Sequence, residues 1–391
     1  MFTIRTHNAI SPAGLGVFDA SLYSVSNQGD SPDALLLRSA KLSPDMIPSS
    51  VKAVARAGAG VNNIPVDSCT EQGVVVFNTP GANANSVKEL AIAGMLLSAR
   101  AIHEGINWVG TQEADSELPG KVEKGKSSFA GSEIQGKRLG VVGLGAIGVQ
   151  VANAAEALGM EVHGYDPFIS VKAAWGLSSS VRRCNSIERL LEICDYVSLH
   201  LPLTPDTKDL VDGKKLSGAK KGLRLLNFSR GALANNTAVL EALDSGRLSR
   251  YVTDFPSQEL LGHPGVLCIP HLGASTSEAE DNCAVMAAKQ LRDFIEDGTI
   301  KNSVNFPACH LERNGGGRIL VANKNIPNML TQILGVLSAR ELNVENMTNR
   351  HRDSVAYNII DVCVPEVDQD ILDALKAIEG VLMVRHIPAQ S

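Results

Sequence analysis

Short apolar runs, separated by Gly, Pro and Ser, recur along most of the chain. Between residues 35 and 67 the runs ALLLRS and VKAVARAGAG follow this pattern, and a second series of the same kind extends from residue 138 to residue 270. Strands of this length that alternate with helical segments are typical of an α/β layer built on a parallel sheet. The pattern therefore predicts two α/β series in one chain.

The segment VVVFNTPGANANSVKELAIAGMLLSAR predicts a strand over 74–77, a break at Thr79-Pro80-Gly81 and a long helix. Ser86 is the expected helix cap, with Glu89 three residues on as its partner. Because apolar residues cover nearly every face, this helix is expected to be buried or to bridge two domains. The polar, irregular residues 105–135 predict a surface loop.

The last part of the chain has a different rhythm. After the Gly-rich stretch at residues 314–317, the pattern predicts strand, helix, strand, strand, helix and strand. A βαββαβ arrangement of this size is expected to form a separate small domain.

Composition restricts the functions that are possible. A chain of 391 residues with a net charge of −6 can form two or three domains, and it has no basic tract that would suit nucleic acid. No apolar run approaches the length of a membrane span and no secretory signal pattern is visible, which favours a soluble, cytoplasmic protein. The 7 scattered cysteines, without a C-x-x-C pair, indicate reduced thiols and give no support to a metal site.

A glycine motif, G-x-G-x-x-G, lies between an apolar strand and an Ala-rich helix. Its glycines are Gly143, Gly145 and Gly148, the helix is expected over 147–158, and a second strand over 161–165 ends in Asp166. In this context the motif predicts a dinucleotide whose pyrophosphate lies at the helix N-terminus. Asp166 would accept hydrogen bonds from a ribose 2′-hydroxyl and repel a 2′-phosphate, so the expected cofactor is NAD.

Three polar residues, each near the end of an apolar run, are the catalytic candidates: Arg230, Glu259 and His271. The carboxyl ends of parallel strands form the ligand crevice of such sheets, so the three could converge. An arginine grips a carboxylate, and a histidine oriented by an acid exchanges a proton near pH 7. They could instead be a structural ion pair, a solvated loop acid and a turn histidine.

Several segments in order, NTPGANANSVKELA, GKRLGVVGLGAIG, DYVSLHLPLTPDT, LLNFSRGAL and IPHLGAST, resemble the signatures of the D-isomer-specific 2-hydroxyacid dehydrogenases. The resemblance implies that Arg230 binds substrate, that His271 is the acid/base and that Glu259 is its partner. It implies two doubly wound, Rossmann-like parallel-sheet domains with the active site in the cleft between them. The implied cofactor contacts are Thr79, Gly143, Gly145, Ala146, Ile147, Gly148, Asp166, Ser229 and Asp254.

The same resemblance divides the chain. Residues 1–94 and 278–308 would form the substrate domain, 95–277 the NAD-binding domain, and 317–391 a regulatory module similar to ACT domains. Leu260 replaces the family's usual proline after the glutamate, which leaves Gln258 as a rival for Glu259. After RGAL, Asn235 takes the place of an aspartate and is expected to cap a helix equally well.

The resemblance implies that the substrate is a phosphorylated 2-hydroxy acid, D-3-phosphoglycerate, oxidised in the first step of serine biosynthesis. Arg56, Arg38 and Asn83 are the candidates for contacts to the substrate in addition to Arg230. In the module, the positions that match an amino-acid effector site are Asn323, Asn325 and Asn343, and ACT-like sheets imply a homo-oligomer. Two other functions remain open: a glyoxylate or hydroxypyruvate reductase, and an NAD-sensing, corepressor-like binding protein.

Overall fold

A computed structural model describes residues 1–389 of the chain. The chain divides into two compact units, of which unit 1 contains Met1–Ala82 and the residues from Glu280 onward, and unit 2 contains Asn83–Ala279. Within the described residues no helix is both long and apolar enough to cross a membrane.

Unit 1 begins with five parallel strands in the order β2-β1-β3-β4-β5. They are β1 (Phe2–His7), β2 (Tyr23–Ser26), β3 (Ala34–Leu37), β4 (Ala53–Arg56) and β5 (Val75–Phe77), with helices α1 (Pro12–Leu15) and α2 (Val66–Glu71) and a 3-10 turn at Pro44–Met46. All four residues of β3 are buried, as expected for a parallel strand that is covered on both faces. The pairing of Leu37 with Arg56 places the ends of β3 and β4 side by side.

Unit 2 contains seven parallel strands in the order β12-β11-β10-β9-β6-β7-β8. The strands are β6 (Arg138–Val142), β7 (Glu161–Tyr165), β8 (Arg182–Arg183), β9 (Tyr196–Leu199), β10 (Leu223–Asn227), β11 (Leu248–Thr253) and β12 (Val266–Cys268). The helices are α3 (Ala84–Ala99), α4 (Ile102–Gly110), α5 (Leu118–Gly125), α6 (Ala146–Ala157), α7 (Val171–Gly176), α8 (Ile187–Ile193), α9 (Gly213–Ser217) and α10 (Asn236–Asp244), with 3-10 turns at Lys126–Phe129 and Gly231–Leu233. The strand order reverses between β6 and β9, and ligands bind at such a reversal in open α/β sheets.

Two predictions for the start of unit 2 are wrong. Helix α3 begins at Ala84, after Asn83, so Ser86 is a buried residue of the first turn and not the cap. Residues 105–135 are not simply a loop, because they contain part of α4 and all of α5. The polar composition of this segment gave no clear helical pattern in the sequence. In the structure Trp108 packs against Phe129, with ring centroids 5.4 Å apart, and this contact stabilises the segment locally.

The C-terminal module has the predicted βαββαβ order. Its elements are β13 (Gly317–Lys324), α12 (Met329–Ser338), β14 (Val344–Arg352), β15 (Val355–Val362), α13 (Gln369–Lys376) and β16 (Val381–Ile387), and the strands form an antiparallel sheet in the order β14-β15-β13-β16. Asn328 lies just before α12 with φ of 70°, the left-handed conformation in which asparagine replaces glycine at least cost.

Both faces of the module's sheet are covered within unit 1. Ile319 and Ile360 face the helices α12 and α13, whereas Leu320 and Tyr357 share a core with Phe294 of helix α11 (Ser277–Asp297). The sequence pattern predicted a separate small domain. In the structure the module does not form a compact unit of its own. Its sheet is packed into the same unit as the five-stranded sheet.

Candidate active site

The glycine loop between β6 and α6 is shaped by three glycines with different tasks. A Cβ on Gly143 (φ of +90°) would lie 2.4 Å from the His200 carbonyl oxygen, and one on Gly148 would lie 1.9 Å from that of Gly143. Both positions therefore require glycine for close packing. A Cβ on Gly145 would meet nothing within 4 Å, so this residue opens onto free space at the N-terminus of α6.

The first turn of α6 contains the next two predicted cofactor contacts. Ala146 is exposed and Ile147 is half-buried, and the backbone N–H groups of this turn have no partner inside the helix. A helix N-terminus of this kind attracts an anion through its N–H groups and its dipole. The open approach at Gly145 and these N–H groups together suit a pyrophosphate.

Asp166 follows β7 and bonds to the backbone through both carboxylate oxygens. Its Oδ2 accepts a hydrogen bond from Leu144 N at 2.8 Å, and its Oδ1 accepts one from Phe168 N at 2.8 Å. A carboxylate oxygen can accept more than one hydrogen bond, so these contacts leave capacity for ribose hydroxyls. The acid predicted to select NAD also braces the glycine loop.

The ends of β9 and β10 are joined beside this loop. Ser229 Oγ donates a hydrogen bond to Leu199 O at 2.6 Å. His200 Nε2 lies 2.8 Å from Ser198 Oγ, and burial lowers the pKa of His200 to about 4, so its imidazole is neutral at pH 7. These contacts fix the carboxyl edge of the sheet without adding charge.

Asp254, directly after β11, brings the predicted site residues together. Its side chain is 1% exposed, and neither carboxylate oxygen has a hydrogen-bond partner within the described residues. Burial raises the pKa of Asp254, and the charges of His271 and Arg230 are among the influences that lower it. The three residues follow β11, β12 and β10, which are adjacent parallel strands of one sheet. The sequence suggested Asp254 only as a cofactor contact, and its central position among charged groups was not predicted.

The two charged neighbours of Asp254 are accessible. Arg230 is exposed, and its NH1 donates to Ser229 O at 2.6 Å, with no salt bridge to a carboxylate in the part of the chain described. His271 is exposed, and its ring packs edge-on against Phe255, with centroids 4.9 Å apart. Neither side chain forms a salt bridge within the described residues, so both are available to bind a ligand.

Glu259 does not bond to His271 in this structure. Its Oε2 instead accepts a hydrogen bond from Asn236 Nδ2 at 3.2 Å, and the glutamate is exposed, as is Gln258. The next residue, Leu260, is only 2% exposed and packs into the core of unit 2. Burial of this leucine, where the resemblance expects proline, fixes the segment with Glu259 directed to the start of α10.

The candidate substrate residues of unit 1 lie at the ends of β3 and β4. Arg56 Nε donates to Arg38 O at 2.9 Å and its NH1 donates to Gly60 O, so loop carbonyls fix its guanidinium. Arg38 NH2 forms a salt bridge of 2.7 Å with Glu280 Oε1. Thr79 of the same unit is fully buried after β5.

Asn83, the remaining candidate, is the first residue of unit 2. Its Oδ1 is buried and has no hydrogen-bond partner within residues 1–389. Since a buried carbonyl oxygen without a donor is costly, this atom is suited to accept a hydrogen bond from a ligand.

The three asparagines suggested for an effector do not form one cluster. Asn323 is 1% exposed, donates to Lys324 O at 2.6 Å and accepts from Asn358 Nδ2 at 2.8 Å. Asn325 donates to Asp353 O at 3.1 Å. Asn343 is exposed and follows α12 in the sequence, whereas Asn323 and Asn325 precede it. Asn323 is thus engaged inside the sheet.

Three features of the site define an NAD-dependent dehydrogenase. They are an open glycine loop at the N-terminus of a helix, an acid at the end of the next strand, and an accessible arginine and histidine beside a buried carboxylate. Residues 92–273 match the family described as "D-isomer specific 2-hydroxyacid dehydrogenase, NAD binding domain". The chain belongs to the D-isomer-specific 2-hydroxyacid dehydrogenase family, and its cofactor is NAD.

Relatives of this chain are named D-3-phosphoglycerate dehydrogenase. The Escherichia coli (strain K12) protein is 33% identical over 361 residues, which cover 88% of this chain and 84% of that protein. The Bacillus subtilis protein is 37% identical over 285 residues, 71% of this chain, but the match spans only about half (52%) of its length. An NAD⁺-bound 3-phosphoglycerate dehydrogenase structure from Entamoeba histolytica aligns with a TM-score of 0.60 and 26% identity, covering 78% of this chain and 98% of that one.

Proposed function

We propose that this chain oxidises D-3-phosphoglycerate to 3-phosphohydroxypyruvate with NAD, in the cytoplasm, as the first step of serine biosynthesis. The observation that carries the proposal is the placement of Arg230, Asp254 and His271 after three adjacent parallel strands, β10, β11 and β12, with Arg230 and His271 exposed. The names of the relatives supply the substrate.

Each residue has a distinct role in the proposed reaction. The Arg230 guanidinium binds the substrate carboxylate through paired hydrogen bonds, and His271 accepts the proton of the C2 hydroxyl. When bound, NAD would supply the acceptor for the hydride that leaves C2. The Asp254 carboxylate, whose two oxygens have no hydrogen-bond partner within residues 1–389, would accept hydrogen bonds from the bound cofactor. Glu259 would orient His271, although in this structure its Oε2 accepts a hydrogen bond from Asn236.

The cofactor is held in this proposal by Gly143, Gly145, Ala146, Ile147 and Gly148 of the loop and first turn, by Asp166, and by Thr79 and Ser229. Arg56 is the preferred phosphate contact because loop carbonyls already hold its guanidinium in place, and Arg38 and Asn83 are further substrate contacts. Residues 1–94 and 278–308 are assigned as the substrate domain, and 95–277 as the NAD-binding domain. The compact units divide earlier, at Ala82, because α3 packs with unit 2.

The module 317–391 is proposed to regulate the enzyme and to contribute to a homo-oligomer. Its effector contacts would come from Asn325 and Asn343 of different copies of the module, since the two residues lie near opposite ends of the β14–β15 pair within one chain. Asn323 would support the site without contacting the effector directly, since its side-chain amide is already hydrogen-bonded to Lys324 and Asn358.

The competing functions are separated by the reverse reaction. NADH oxidation is measured with 3-phosphohydroxypyruvate, hydroxypyruvate and glyoxylate. We expect the phosphorylated acid to have the highest kcat/KM, by about tenfold or more, because a phosphate contact to Arg56 would be charge-assisted. A preference for glyoxylate or hydroxypyruvate would identify a reductase, and no turnover with any acid would favour an NAD-sensing protein.

A further inference from the structure

Asn236, the first residue of α10, holds the loop that contains Glu259. Its Nδ2 donates one hydrogen bond to Ser257 Oγ and one to Glu259 Oε2, each at 3.2 Å. An amide nitrogen has two hydrogens, so both bonds can form at once, and an ionised carboxylate can only accept, which fixes the orientation of the amide. One side chain therefore fixes two positions of the same turn.

The turn around Glu259 is closed by backbone hydrogen bonds. Leu260 N and Leu261 N both donate to Ser257 O, at 3.1 and 3.2 Å. Leu260 is 2% exposed and packs into the core of unit 2, so the backbone next to Glu259 is fixed as well. The Glu259 side chain is exposed, and within the described residues its carboxylate accepts a hydrogen bond only from Asn236. Without that bond the carboxylate would be free to adopt several rotamers.

The donor on Asn236 starts from a rigid element. The preceding residue, Asn235, caps α10 by accepting a hydrogen bond from Ala238 N at 3.0 Å. Ala238 and Val239 of the same helix are buried in the core of unit 2. A group on the first turn of a packed helix is held more precisely than a group on a loop, so Asn236 is a fixed point for the Glu259 side chain.

The loop that Asn236 holds also contacts the candidate acid/base. Phe255 packs edge-on against the His271 ring, with centroids 4.9 Å apart. The loop after β11 therefore passes beside His271 before it reaches the start of α10 at Ser257 and Glu259. Hydrogen bonds between catalytic groups are often long or poorly aligned before substrate binds and tighten in the complex. The fixed end of the Glu259 side chain thus belongs to the same loop as the His271 contact.

We propose that Asn236 is a positioning residue of the catalytic site, which holds one oxygen of the Glu259 carboxylate so that the other is available to His271. The bond to Asn236 uses Oε2, and Oε1 is left to accept from the imidazole when substrate binds. This inference rests on the proposed function, in which Glu259 orients His271.

Asn236→Asp separates positioning from stability. The aspartate has nearly the same size, cannot donate when ionised and repels Glu259, whereas a negative charge in the first turn favours the helix. We expect kcat for D-3-phosphoglycerate with NAD to fall about tenfold or more, because a charge-assisted hydrogen bond is lost, and the KM for the acid to change less than about twofold. Circular dichroism and thermal unfolding check that the fold is retained.

Two single variants and one double variant make the result specific. Asn236→Gln keeps an amide donor and should retain most of the wild-type kcat. Thr237→Asp adds the same charge at the next position of α10, which is exposed, and should leave kcat unchanged. In a Glu259→Ala background, Asn236→Asp should lower kcat no further, because the residue through which Asn236 acts is already gone.

A wild-type kcat in Asn236→Asp would overturn the inference. A loss of the same size in Thr237→Asp, or in the Glu259→Ala background, would overturn it as well, because the effect would then not pass through Glu259. These outcomes are seen only when the wild type is active, so they differ from failure of the proposed function. That failure would appear as absence of turnover by the wild type, and it would overturn both.

Discussion

Asp166 Oδ2 accepts a hydrogen bond from the backbone N–H of Leu144 at 2.8 Å. The acid at the end of β7 is thereby tied to the loop at the end of β6, and its other oxygen accepts from Phe168 N. We therefore expect cofactor choice and loop geometry to depend on this one side chain. Replacing it should affect both, and two different substitutions can separate the effects.

Asp166→Ala should raise the KM for NAD by about tenfold or more, because the ribose acceptor and the brace at Leu144 are lost together. The ratio of NADP to NAD activity should rise, since the charge that repels a 2′-phosphate is gone. Asp166→Asn is the control, because its amide oxygen can still accept from Leu144. Steady-state kinetics with both cofactors measure this, and an unchanged cofactor ratio in both variants would show that Asp166 does not select NAD.

His271→Ala should lower kcat by about 10²- to 10⁴-fold, the usual contribution of a positioned acid/base, and should leave NAD affinity nearly unchanged. His263→Ala is a suitable control, because this histidine belongs to the same unit and its hydrogen bonds are to Asp244 Oδ1 and Gly265 N. Turnover and NAD binding by fluorescence provide the two readings. Wild-type kcat in the His271 variant would remove it from the mechanism.

Asp254 makes stability depend on pH. Burial raises its pKa in the folded protein, so the folded state holds its proton more tightly than the unfolded chain does. This contribution is fully present below the unfolded pKa of about 3.9 and is lost as pH rises through the folded pKa. Asp254→Asn should remove that loss and make the protein relatively more stable at neutral pH, while weakening NAD binding. Urea unfolding of the wild type and the variant at several pH values tests this, and an identical change in the free energy of unfolding between acid and neutral pH in both proteins would contradict it.

Arg318 and Asp361 form an ion pair inside the C-terminal module, with Nε donating to Oδ1 at 2.6 Å and both side chains about fully buried. Arg318 NH1 also donates to Asp297 O at the end of α11. Asp361→Leu should lower the free energy of unfolding by about 3–5 kcal/mol, because it leaves a buried guanidinium unpaired. The double variant Arg318→Met/Asp361→Leu should recover most of that loss. Chemical denaturation measures both, and equal losses in the single and double variants would show that the missing charge partner is not the cause.

Local features of the site could be predicted from the sequence. Strand β7 has its predicted bounds, Glu161–Tyr165, and the side chain of Asn235 caps α10 by accepting from Ala238 N at 3.0 Å. Both depend on residues close in the chain, where periodicity and capping chemistry are decisive. The glycine loop was predictable for the same reason.

Features set by distant packing could not be predicted. The direction of Glu259 follows from the burial of Leu260 in the core of unit 2, and no local pattern reports that. The engagement of Asn323 depends on its cross-strand neighbour Asn358, which is 35 residues away. The shared core of the module and α11 likewise depends on contacts between separate segments of the chain, such as Tyr357 OH with Gly298 O at 2.9 Å.

The most direct measurement is the initial rate of NADH formation by the full chain with NAD and D-3-phosphoglycerate, compared with D-glycerate and D-lactate under the same conditions. We expect D-3-phosphoglycerate to give the highest kcat/KM, with a selective loss of that advantage in Arg56→Leu. Turnover of D-glycerate or D-lactate at an equal or higher kcat/KM would contradict the proposed function, as would the absence of NADH formation from D-3-phosphoglycerate.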